Sequence, residues 1–89
     1  MLIITLDFRQ LENRQDLYRQ LIRQSDGPFT FGNNLDALWD WLTGGMTLPA
    51  HIRLRHLAEH ADPTQFYEVI TLMQDAVASL DGELQVTLD

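Results

Sequence analysis

The chain opens on Leu2-Ile3-Ile4-Thr5-Leu6, a short apolar and partly β-branched run that stops at Asp7. A run of this kind predicts a strand buried on both faces. From Leu11 to Gln24 the period lengthens. Leu11, Leu17, Tyr18, Leu21 and Ile22 gather on one side of a helix, and Arg19 and Arg23 form an outward row four apart. Asp26-Gly27-Pro28 ends this helix by turn chemistry. A second helix is expected from about Asn34 to Thr43, with Asn33 as its N-cap and Gly44-Gly45 as its terminator. Its apolar arc holds Leu35, Ala37, Leu38, Trp39, Trp41 and Leu42, with Trp41 in the middle and Trp39 at the edge. Asp36, Asp40 and Thr43 share the remaining side.

Residues His51 to Leu57 alternate in part, Ile52, Leu54 and His56 against Arg53, Arg55 and Leu57, which predicts a strand whose arginine face is open. The stretch EHADPTQ reads as a turn or short helix, with a helical restart at Pro63. Phe66, Val69, Ile70, Leu72, Met73, Ala76, Val77 and Leu80 then recur at helical spacing, Glu68 and Asp75 share the opposite face, and Asp81-Gly82 ends the helix. The tail alternates Leu84, Val86 and Leu88 against Gln85 and Thr87, a strand buried on one side. The order is β-α-α-β-(α)-α-β. Helical crossovers between strands are right-handed, so the pattern predicts an α/β fold, a three-stranded parallel sheet packed with three to four helices.

Length and charge narrow the functional classes. Residues 1–89 are enough for one domain with a modest core. Thirteen acidic against six basic residues give a net charge of −7, which repels nucleic acid and membranes and attracts basic partners. No segment approaches the ~20 apolar residues of a membrane span. The start lacks the basic region of a secretion signal, so a cytoplasmic protein is expected. The absence of cysteine removes disulfides, thiolate metal sites and thiol nucleophiles together.

Three histidines raise the question of a metal. His51 and His56 are expected on opposite faces of a strand, and His56 and His60 would need an unbroken helix to face each other, so no metal site is assigned. Asp36 and Asp40 could serve as acid and base, but no nucleophile, basic clamp or Gly-rich phosphate loop accompanies them. The chain is not expected to be an enzyme. Yet stability alone would not select this pair. Like charges four apart on a helix repel by about 0.2–0.5 kcal/mol, and Asp40 lies near the C-terminal end, where the helix dipole disfavours an anion. A half-exposed Trp39 beside such charges suits a binding surface, whereas Trp41 reads as core.

These residues also carry a family likeness. FGNNLDALWDWLTG, residues 31–44, closely resembles the signature of the barstar family, intracellular inhibitors of barnase-type ribonucleases. The opening strand, Asp75-Ala76 on the last helix and the terminal ELQVTLD line up as well. The resemblance implies a barstar-like fold in which the second helix and its preceding loop plug a ribonuclease active site, acidic side chains standing in for RNA phosphates. The contact residues it implies are Thr30, Phe31, Asn34, Asp36, Trp39, Asp40, Thr43, Gly44 and Asp75. Asp40 would take the phosphate site, Asp36 a neighbouring cation, and Asp75 an outer contact. The implied partner is a basic extracellular-type ribonuclease, bound by a monomer without cofactor or metal. Three positions depart from the pattern: Thr30 replaces an aromatic, Asn33 an acid and Gly45 a tryptophan. The alternative is a barstar-like acidic module that recruits another basic protein.

Overall fold

The computed structural model describes residues 1–25 and 34–89. The expected contacts Thr30 and Phe31, and the Asp26-Gly27-Pro28 stop, lie outside the described residues. Three strands, β1 (Leu2–Asp7), β2 (Ala50–Arg55) and β3 (Leu84–Leu88), form one parallel sheet in the order β1-β2-β3. Ile4 pairs with Ile52 and Ile52 with Val86. When strand order follows chain order and every crossover has the same hand, the helices fall on a single face of the sheet. Burial follows that rule. Ile4, Leu6, Ala50, Ile52, Leu54 and Leu84 are buried, while Ile3, Gln85 and Thr87 on the other face are exposed.

This corrects the expectation for the first strand. Leu2–Leu6 is not buried on both faces: Ile3 is 56% exposed, because no helix covers its side of the sheet. The free edge of β1 is closed by a side chain instead. Thr5 N–H donates to Gln24 Oε1 and Gln24 Nε2 donates to the Thr5 carbonyl, both at 2.9 Å, the pair of bonds a neighbouring strand would make.

The first helix, α1 (Arg14–Gln24), starts later than its apolar pattern predicts. Asn13 Oδ1 caps it by accepting from Asp16 N–H at 3.0 Å, and a 3-10 turn over Phe8–Gln10 precedes it. That turn drives Phe8 into the core, edge-on to Phe66 with ring centroids 4.9 Å apart, and Leu11 is buried ahead of the helix rather than on it. Asp7 caps the same turn. Its carboxylate accepts from the Arg9 side chain at 2.8 Å, which holds the Asp7 pKa at about 2. A carboxylate with a lowered folded pKa adds stability that is present above its unfolded value and lost as pH falls toward the folded one. Acid titration of Asp7→Asn beside the parent protein is therefore expected to show a stability difference that vanishes as pH falls from about 4 toward 2.

The middle strand is shorter than predicted. β2 ends at Arg55 because His56 turns the backbone into the left-handed region, at φ 63°. His56 therefore does not continue the face of Ile52 and Leu54, and its Nδ1 lies 2.6 Å from Glu59 in the 3-10 turn Leu57–Glu59. His60 ties two segments together. Its Nε2 lies 2.6 Å from the Leu11 carbonyl, its Nδ1 accepts from Asp62 N–H at 2.9 Å, and its ring stands edge-on to Phe66. Both bonds are made by one tautomer, the neutral ring with its proton on Nε2. A 3-10 turn with Pro63 at its start then leads into α3 (Tyr67–Ser79), and Asp81 (φ 48°) and Gly82 (φ 91°) turn the chain into β3.

Candidate protein-docking site

Helix α2 (Leu35–Asp40) lies between α1 and β2 in the chain. Its cap is Asn34 rather than Asn33: Asn34 Oδ1 accepts from Ala37 N–H at 2.8 Å. Two adjacent asparagines are equally good caps in composition, and only the backbone decides between them. The α-helix also ends sooner than its pattern suggests. After Asp40 the chain widens into a π-turn, Trp41–Gly45, closed by Met46 N–H on the Trp41 carbonyl at 2.7 Å. Gly44 and Gly45 thus lie inside the last turn. Trp41 and Leu42 are both buried in the core with Leu38, while Thr43 and Gly44 return toward the surface. The Thr43 hydroxyl donates to the Trp39 carbonyl at 2.8 Å.

The outward side of α2 carries Asp36 and Asp40, both exposed. At about 100° per residue Trp39 sits beside them, half-buried and packed against the edge of the core. Asp36 occupies the first turn, where the helix dipole favours an anion; Asp40 closes the α-helical part, and the π-turn Trp41–Gly45 carries the helix past it. Elsewhere four of the six arginines are engaged: Arg9 with Asp7, Arg14 with Glu68, Arg19 with Asp16, and Arg55 with Asp89. Among the described residues, Asp36, Asp40 and Asp75 have no ion-pair partner.

Between α2 and α3 runs an open groove lined by Leu35, Asp36 and Trp39 on one side and Tyr67, Glu68, Thr71, Leu72 and Asp75 on the other. It brings three of the expected contact residues together, Asp36, Trp39 and Asp75, although the last is distant in sequence. Asp40, Thr43 and Gly44 lie outside its lining, further along the same helix and turn. Asn34 has its side chain committed to capping. The groove also takes in Tyr67, which is not among the expected contacts and is 51% exposed. A signal was available: on the α3 wheel Tyr67 falls with Thr71 and Asp75, off the arc of Val69, Ile70 and Met73, and an aromatic placed among polar neighbours invites a partner.

Among the described residues no group of three His, Asp or Glu side chains is placed to hold a metal ion, and no helix is long and apolar enough to cross a membrane. A parallel three-stranded sheet with all its helices on one face, and a short second helix carrying an acidic outer side, is the architecture of barstar-like α/β proteins. The chain belongs to the barstar family: the family described as "Barstar (barnase inhibitor)" matches residues 1–88. A Bacillus subtilis (strain 168) protein, "Putative ribonuclease inhibitor YrdF", is 33% identical over 93 residues, spanning 97% of each chain.

Proposed function

We propose that this protein inhibits a basic ribonuclease of the barnase type by laying the outer side of α2 and the following turn across the enzyme's active site. The observation that carries the proposal is the set of exposed carboxylates, Asp36, Asp40 and Asp75, that have no cation among the described residues and flank a half-buried Trp39. A ribonuclease must hold RNA phosphates with cationic side chains, and a carboxylate of correct reach occupies the same field. In this reading Asp40 takes the phosphate position, Asp36 pairs with a neighbouring cation, and Asp75 supplies an outer contact. Thr30, Phe31 and Asn34 belong to the approach to α2, and Thr43 and Gly44 to the turn after it.

Gly44, exposed in the turn after α2, has open space beside its backbone: a methyl group added there would meet nothing within 4 Å. Occupied active-site cations and steric closure would stop RNA cleavage without any chemistry on the inhibitor's part.

The direct test is titration of barnase activity on RNA with the purified protein. Loss of activity in proportion to added protein, complete near equimolar ratio, is the expected result. Full activity at large excess overturns it, and would favour the second reading, an acidic module for another basic protein. That reading has its own support in the exposed Gly45, which leaves the end of the face bare.

A further inference from the structure

The groove between α2 and α3 is lined by apolar side chains, Leu35, Trp39, Tyr67 and Leu72, as well as by the carboxylates used above. Among the described residues Tyr67 is one of four large apolar side chains that are strongly exposed; the others, Met1, Ile3 and Leu88, lie at the strand ends or on the bare sheet face. Tyr67 lines the groove together with Leu35, Thr71 and Leu72. Leu35 and Leu72 are both half-buried and packed on the core, which fixes the floor of the groove to the rest of the fold. A tyrosine has few rotatable bonds and a large flat surface, so covering it costs little side-chain entropy and removes much apolar area from water.

Charge limits what can cover it. Glu68 and Asp75 stand on the α3 wall seven residues apart, about 10 Å along the axis at ~1.5 Å per residue. Asp36 faces them from α2. An acidic side chain on the occupant would meet Asp36 and Asp75, which have no ion-pair partner among the described residues, beside Glu68, which is held by Arg14, and a wholly apolar occupant would leave the first two without compensation. The complementary surface is an apolar side chain flanked by lysine or arginine. Because Asp36, Trp39 and Asp75 line this groove and also belong to the docking face, whatever covers that face reaches Tyr67 without a separate binding event.

We propose that Tyr67, with Leu72 and Thr71, forms a second recognition subsite, which grips an apolar side chain on the rim of the bound ribonuclease, flanked there by basic residues. This inference rests on the inhibitory reading above and deepens it. The active-site plug engages features that every phosphate-cleaving cleft shares, whereas the Tyr67 end contacts surface outside the cleft. The subsite therefore contributes selectivity among ribonucleases rather than inhibition itself.

The test compares binding of barnase by the parent protein, Tyr67→Ala, Tyr67→Phe, Asp40→Ala and Ile3→Ala. Melting curves confirm that each variant is folded. Tyr67→Ala is expected to bind at least tenfold more weakly, through faster dissociation and to a similar extent at low and high salt, because the lost contact is apolar. Tyr67→Phe keeps the ring and stays within threefold of the parent. Ile3→Ala, an equally exposed residue on the uncovered sheet face, leaves binding unchanged. Parent-like binding by Tyr67→Ala, while Asp40→Ala is weakened, overturns the subsite and leaves the inhibitory reading standing. Parent-like binding by Asp40→Ala, or no binding of barnase by the parent protein, overturns the inhibitory reading and the subsite with it.

Discussion

Asp40→Ala is expected to weaken ribonuclease binding by about 2–5 kcal/mol, the usual cost of truncating one partner of a buried, hydrogen-bonded charge pair, and to act mainly on dissociation. In the proposed complex the carboxylate would sit among cations that have left water, and removing it would leave them buried and uncompensated and speed dissociation. Association should change less, because encounter is guided by the summed charge of −7 rather than by one residue. The on-rate of the parent protein should fall steeply as salt rises, since screening shortens the electrostatic range to ~8 Å at physiological ionic strength. Free Asp40→Ala should melt no lower than the parent. The change relieves repulsion from Asp36, its neighbour one turn away. Stopped-flow kinetics and a melting curve on the same sample read both effects. A variant that melts clearly lower would make Asp40 a structural residue.

Trp41→Ala is expected to destabilise the fold by about 3–5 kcal/mol. Trp41 is 1% exposed and packs within the cluster that includes Leu38, Leu42, Ile52 and Phe66. Emptying that site removes apolar burial and leaves a cavity in a domain whose whole stability is of order 5–15 kcal/mol. Trp39→Ala should behave in the opposite way. Its ring is half-buried at the margin of the core and forms part of the groove, so its loss costs less stability and more affinity. Denaturant unfolding with ribonuclease binding measured on the same two variants separates them. Equal loss of stability for both would place Trp39 in the core as well.

Much of this architecture is legible in the chain because each element meets the core with a clean period. The inward residues of β2 and β3 alternate, α3 repeats its apolar positions through thirteen residues, and Asp81-Gly82 supplies the positive φ angles its exit needs. What was misread shares one cause, that composition does not know its tertiary surroundings. Ile3 is as apolar as Ile4, and only the placement of all helices on one face leaves it bare. His56 continues an alternation that the backbone abandons at φ 63°. Asn33 and Asn34 have equal capping chemistry, and the hydrogen bond from Ala37 selects the second.

The candidate site divides along the same line. Asp36, Trp39 and Asp40 follow from spacing on one helix, and the family likeness adds Asp75. The groove that joins Asp75 to α2, and Tyr67 within it, exists only because α3 lies against α2. No pattern within α3 alone states which helix will face it. The π-turn after Asp40 is a further example: Gly44-Gly45 reads as a stop, yet both residues extend the helix by one wider turn and carry the acidic side forward to Gly44.

If an acidic side chain of α2 takes the phosphate position of a ribonuclease active site, a small phosphate ligand bound there competes with it. In the presence of a saturating mononucleotide that fills the barnase active site, the apparent affinity of the protein for barnase should fall in proportion to nucleotide occupancy, and Asp40→Ala should lose less than the parent because it no longer contests the phosphate site. An affinity that is unchanged by the nucleotide, with a ternary complex of enzyme, nucleotide and protein, would place the bound surface outside the active site and contradict this placement.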